Sequence, residues 1–69
     1  MGSTYKKIEI VGTSDKSFED AVQNAITAAG RSLEGLSWFE VVEERGSIEG
    51  AKLKEYQVTV RIGFKVMDG

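Results

Sequence analysis

Apolar and polar residues alternate along three stretches of this chain and recur at helical spacing along a fourth. From Thr4 to Val11, Ile8 and Ile10 alternate with Lys7 and Glu9. That period of two predicts a strand with its isoleucines on the core face. Gly12-Thr13-Ser14-Asp15 has the composition of a turn. Ser17, followed three residues later by Asp20, approximates a capping box and marks a helix start. Phe18, Val22, Ala25, Ile26, Ala29 and Leu33 then form one apolar stripe, and Gly35 is a helix stop. Gly30, inside the last turns, costs about 1 kcal/mol relative to alanine. A second strand runs from near Ser37 toward Ile48, with Gly46 as its candidate bulge. Glu49-Gly50-Ala51 is the expected reversal. A third strand follows, in which Tyr56, Val58, Val60, Ile62, Phe64 and Val66 alternate with Gln57, Thr59, Arg61, Gly63 and Lys65.

The order strand, helix, strand, strand predicts an α+β domain over residues 1–69, with one helix covering one face of a small sheet whose hairpin is antiparallel. Matching core face to core face sets the register. Phe39 falls opposite Ile62 and Val41 opposite Val60. Glu40 then meets Arg61, an opposite-charge pair, and Trp38 lies beside Gly63. Trp38 shares the polar face with Glu40, which is unusual for a large aromatic. Such a residue has something to cover it, a partner chain or a flat ligand.

Composition narrows the choice. A chain of 69 residues buries only roughly 60% of its unfolded surface, and domains of this size lean on disulfides, metals or oligomerisation. Cysteine and histidine are both absent. That removes disulfides, thiolate and imidazole metal sites and the commonest general base, and leaves oligomerisation. The net charge of −2, with acids and bases interspersed, argues against nucleic acid as a partner. No apolar run reaches membrane-span length and nothing at the N-terminus resembles a signal peptide, so a soluble cytoplasmic protein is expected.

The outward set near the hairpin comprises Trp38, Gln57, Gly63 and Lys65, with Arg45 joining if a bulge at Gly46 turns it outward. Each has an ordinary reading. Trp38 could pack on a neighbouring subunit, Gln57 could be a solvated strand residue, and Arg45 and Lys65 could be surface charges. Read together they suit a flavin. Indole stacks on a planar electron-poor ring, and the Gln57 amide carries both donors and acceptors for a pyrimidine-like edge. A cation holds a phosphate, arginine in bidentate fashion and lysine as a point charge.

The stretches Tyr5-Lys6-Lys7-Ile8-Glu9-Ile10-Val11-Gly12-Thr13-Ser14, Trp38-Phe39-Glu40-Val41, Arg45-Gly46, Tyr56-Gln57-Val58-Thr59-Val60 and Gly63-Phe64 resemble the dodecins over nearly the whole chain. The resemblance implies a β-α-β-β subunit whose three-stranded antiparallel sheet wraps partly around its helix, assembled as a hollow dodecamer. It implies paired flavins near two-fold axes, sandwiched between tryptophans of symmetry-related subunits. Trp38 matches that tryptophan and Gln57 the glutamine that hydrogen-bonds the ring. Arg45 matches the arginine of bacterial-type members, which favour FMN, with riboflavin or FAD as alternatives. Lys65 stands where bacterial relatives carry arginine, keeping the charge without the bidentate fork. Ser37 stands where relatives often carry aspartate. Coenzyme A is a second ligand in some members.

The implied function is non-enzymatic: a protein that stores, buffers and photoprotects FMN. The competing reading is a structural assembly without flavin, in which Trp38 anchors the oligomer. An enzyme is disfavoured, because no nucleophile–base pair is evident without His or Cys.

Overall fold

The last strand of the chain is the middle strand of the sheet. The structure is a computed structural model and describes residues 2–66. Its elements are β1 (Tyr5–Ser14), α1 (Phe18–Gly30), β2 (Leu36–Glu49) and β3 (Lys52–Lys65), in the sheet order β1-β3-β2. Both neighbours pair with β3 antiparallel. The β-α-β-β order expected from the periodicities is therefore observed, and β1 and β2 are the two edges.

The hairpin register is also as expected. Phe39 pairs with Ile62, Val41 with Val60, Glu40 with Arg61 and Trp38 with Gly63. Glu49 and Lys52 close a two-residue turn in which Gly50 (φ 58°) and Ala51 (φ 61°) are both left-handed. Two such residues match the right-handed twist of the flanking strands.

The core is small. Val58, Val60 and Ile62 of β3 are fully buried beneath Ala21, Ala25 and Ala29 of α1. Each of the three β3 side chains contributes about 1.5–3 kcal/mol by leaving water. Ile8, Ile10, Phe18, Val22, Ile26 and Leu36 pack around them, half-buried. The alanine face lets the helix come close to the sheet, and Gly12 sets the limit. A Cβ there would overlap the Ala21 carbonyl oxygen and lie 2.8 Å from the Ala25 Cβ.

Several expectations are corrected. Gly12, Thr13 and Ser14 are not a turn but the end of β1, with Gly12 there for the close approach of α1. The helix stops at Gly30, short of Leu33 and Gly35. Ser32 and Leu33 N–H groups donate to the Ala29 carbonyl, and Gly35 (φ 74°) then turns the chain into β2. The capping box is half formed. The Asp20 N–H donates to Ser17 Oγ, but the Asp20 carboxylate accepts instead from the buried Ser14 hydroxyl at 2.6 Å. Phe39 and Val41 lie on the core face yet remain about half exposed (49% and 47%), because α1 does not reach over β2. The bulge expected at Gly46 lies elsewhere. β2 slips by one residue at Ser37 and again at Val42, and a third shift between Ser47 and Ile48 leaves out Lys54 of β3.

Candidate functional site

The slip at Val42 decides which side chains share the outer face. Before it, the even-numbered residues Trp38 and Glu40 of β2 point outward. After it the odd-numbered residues do, so Glu43 lies across from Thr59 and Arg45 from Gln57. Arg45 is thus turned outward as expected, but by a bulge three residues upstream of it. The outer face has two ends. One holds Trp38, Gly63, Lys65, Tyr5 and Lys7, and the other holds Arg45, Gln57 and Thr13.

At the first end, the Trp38 indole lies over Gly63. A Cβ on that glycine would overlap Cζ2 and Cε2 of the ring and come within 2.5 Å of Cη2. The absence of a side chain at Gly63 is what allows the indole to lie against the backbone of β3. Tyr5 meets the indole edge-on, with ring centroids 5.2 Å apart. The indole Nε1–H donates to Glu40 Oε2 at 2.9 Å, and the same oxygen accepts from Lys7 Nζ at 2.9 Å. Trp38 remains 39% exposed. It is an aromatic platform, backed by the sheet and tied at its edge, open to whatever covers it.

The ion pairs differ from the expected cross-strand pair. Arg61 faces Glu40 in register, but its guanidinium Nε donates to Glu9 on β1 at 2.9 Å. Glu40 takes Lys7 instead. β3 lies between two edge strands, so Arg61 has a carboxylate on each side and engages one. The Trp38 indole N–H, and after it the Lys7 ammonium, hold the Glu40 carboxyl below its ordinary value of 4.5. These pairs are exposed and screened, so they set geometry more than stability.

At the second end, Arg45 Nε donates to Gln57 Oε1 at 2.7 Å, and Gln57 Nε2 donates to Glu55 Oε1 at 2.9 Å. The amide keeps one N–H and one lone pair free. Six residues of β3 separate Gly63, beneath Trp38, from Gln57. At about 3.4 Å per residue this is roughly 20 Å. The expected grouping of Trp38 with Gln57 and Arg45 is therefore not formed within one chain, where the two ends stand apart.

Lys65 lies two residues beyond Gly63 on β3, on the Trp38 side, and its backbone N–H donates to the Gly35 carbonyl at 3.0 Å. Ser37, the bulged residue beside Trp38, donates its hydroxyl to that same carbonyl at 2.9 Å. Residue reasoning singled out neither Glu40 as the tie of the indole nor Tyr5 as its flank. The alternation Tyr5, Lys7, Glu9 places Tyr5 and Lys7 on one face of β1, and only the pairing of β1 with β3 brings them to Trp38 and Glu40. No described helix is long and apolar enough to cross a membrane.

The chain forms a small α+β subunit with a half-exposed indole on the outer face of its sheet. The chain is a member of the dodecin family, whose sequence model matches residues 4–67. It is 50% identical over 66 residues to the dodecin of Thermus thermophilus, covering 96% of each chain. The structure of dodecin from Streptomyces coelicolor superposes with a TM-score of 0.93 at 40% identity, over 97% of this chain and 96% of that one. The calcium dodecin of Mycobacterium tuberculosis is 31% identical over 64 residues, 93% of this chain and 90% of its own. Members of the family are generally small-ligand binders without catalytic activity.

Proposed function

We propose that this chain is a non-enzymatic flavin-binding protein that stores and photoprotects FMN within a hollow homododecamer. The carrying observation is the indole of Trp38, spread over Gly63, held at its edge by Glu40 and open above. In the assembly, two flavins stack between Trp38 and its counterpart in a symmetry-related subunit. Stacking on indole allows electron donation to the excited flavin faster than emission, so the bound ring neither fluoresces nor reacts.

The separation of the two ends of the outer face bears on how the ring is read. A ring stacked on Trp38 is out of reach of the same subunit's Gln57, so the amide that meets its pyrimidine edge comes from a neighbouring subunit. The free N–H and lone pair on Gln57 suit an imide flanked by carbonyls. Lys65, on the Trp38 side, and Arg45, beside Gln57, are the cations available to the phosphate. Ser37 is engaged with the Gly35 carbonyl and contributes by shaping the strand entry to Trp38.

Assembly is supported independently by exposed apolar side chains. Phe39, Val41, Ile48 and Leu53 stand uncovered on the subunit, more than a 69-residue chain leaves to water without use. The M. tuberculosis relative is named for calcium. Among the described residues of this subunit no three His, Cys, Asp or Glu side chains come together.

A titration of FMN into apoprotein tests the reading. Emission should be quenched as FMN binds, and Trp38→Ala should abolish quenching while gel filtration still shows the full assembly. Unquenched FMN on the wild-type protein, or quenching that survives Trp38→Ala, defeats it. Dissociation of the Trp38→Ala oligomer, with no flavin bound by the wild type, would instead make Trp38 an oligomer anchor.

A further inference from the structure

The face of the indole is one element of the platform, and its orientation is another. An aromatic side chain on a strand has two rotatable bonds, and an exposed one samples several rotamers. Trp38 has contacts that select one of them. Gly63 accommodates the ring from below, Tyr5 limits it at one edge, and a single carboxylate oxygen of Glu40 accepts the Nε1–H.

Glu40 is itself fixed from a distance. Lys7 lies on β1, on the far side of β3 from Glu40, and Gly63 is its direct neighbour on β3. Its ammonium nevertheless reaches the oxygen that holds the indole. The other charges around Glu40 do not compete for that oxygen. Arg61 on β3 is engaged by Glu9 of β1, and Glu43 is the next outward residue along β2. The sheet thus carries a chain of contacts from Lys7 through Glu40 to the indole N–H. It crosses all three strands and ends on the one tryptophan in the sequence.

We infer that Glu40 is the positioning residue of the platform: bridging Lys7 and the indole N–H, it locks Trp38 flat over Gly63 and so presets the plane on which a flavin stacks. Preorganisation of this kind raises affinity by removing the ordering cost at binding. The carboxylate touches the indole and not the ligand, so it acts through Trp38. The ligand part of this inference rests on the flavin reading above, but the orientation of Trp38 in apoprotein does not.

Because the chain has a single tryptophan, emission excited at wavelengths beyond tyrosine absorption reports on this side chain alone. The test measures indole anisotropy in apoprotein and FMN affinity by titration, for wild type, Glu40→Gln and Glu40→Leu, with gel filtration and circular dichroism as controls. Glutamine keeps an acceptor oxygen and should leave anisotropy near wild type, with affinity within about twofold. Leucine should lower the anisotropy and weaken FMN binding roughly tenfold, with assembly and circular dichroism unchanged. Leucine at wild-type anisotropy and affinity overturns the inference, and so does an equal loss in both variants. If Glu40→Leu does not fold, Lys7→Met replaces it, since a carboxylate without its ammonium should let the indole loosen. Unchanged anisotropy in that variant overturns the inference equally. A wild-type protein that binds no FMN would defeat the flavin reading while leaving the anisotropy result to decide the role of Glu40.

Discussion

Gly63 and Trp38 are a matched pair, and each explains the other. A methyl group at position 63 would overlap the indole at Cζ2 and Cε2. Gly63→Ala should therefore displace Trp38 and abolish FMN quenching, while circular dichroism and elution volume stay those of the wild type. The pair was legible in the sequence because matching core faces across a hairpin fixes the opposite face as well. The role of Glu40 was not. Opposite charges facing each other on neighbouring strands suggest one pairing, but Arg61 has carboxylates on both sides and only the third strand decides between them. The consequence is measurable with acid. The folded-state pKa of Glu40 is lowered, first by the indole N–H and then by Lys7. Its contribution is complete above the ordinary value of 4.5 and is lost as pH falls through the lowered one. Indole emission of the apoprotein should thus stay level down to that range and change only below it. In Glu40→Gln this transition should be missing.

The elements are positioned by close approach more than by large side chains. The helix meets the sheet through Ala21, Ala25 and Ala29, and β1 accepts it at Gly12. Gly12→Ala should push the helix off the sheet at a cost of about 1–3 kcal/mol or more, read as a lower urea midpoint at fixed protein concentration. The β2–β3 turn offers the opposite case. Ala51 is held at φ 61°, where a side chain is strained, so Ala51→Gly should stabilise the hairpin by up to about 1 kcal/mol. The existence and order of the elements were legible from periodicity. Their ends were not. The apolar spacing of the helix runs on to Leu33, though the α-helix ends at Gly30 and the chain passes through Arg31, still in the right-handed region, into a tightened turn. In β2, the adjacent valines 41 and 42 hide a bulge, because either could be the inward residue. Glycine at position 46 was the more visible breaker.

At the scale of the whole molecule, the subunit is long and thin, with extents of 54 × 20 × 13 Å. A helix of 13 residues spans about 20 Å, so much of the sheet extends beyond it. Ile48 and Leu53 lie on that uncovered length, and Phe39 lies beside the helix on β2, which the helix does not cover. A charge placed there should prevent burial against another copy. Phe39→Asp should elute as a smaller species than the wild type and lose FMN quenching with it, because the sandwich needs two subunits. An unchanged elution volume would mean that this face is not an interface. Amphipathic patterning announced the core face of β2 but not its incomplete cover, since the reach of the helix depends on where it stops.

The central place of β3 also has a consequence for how the chain acquires its shape. On the ribosome, β1 and α1 emerge first, yet Tyr5 waits for Lys65 and Ser14 for Tyr56 before either has a strand to pair with. The early half of the chain therefore has no sheet to join until β3 has been synthesised. Contacts so distant in sequence slow the search for the native state. They also leave the Ile8 and Ile10 strand open to wrong partners in the interval. Arrival of β3 between the two edge strands is the step that closes that interval.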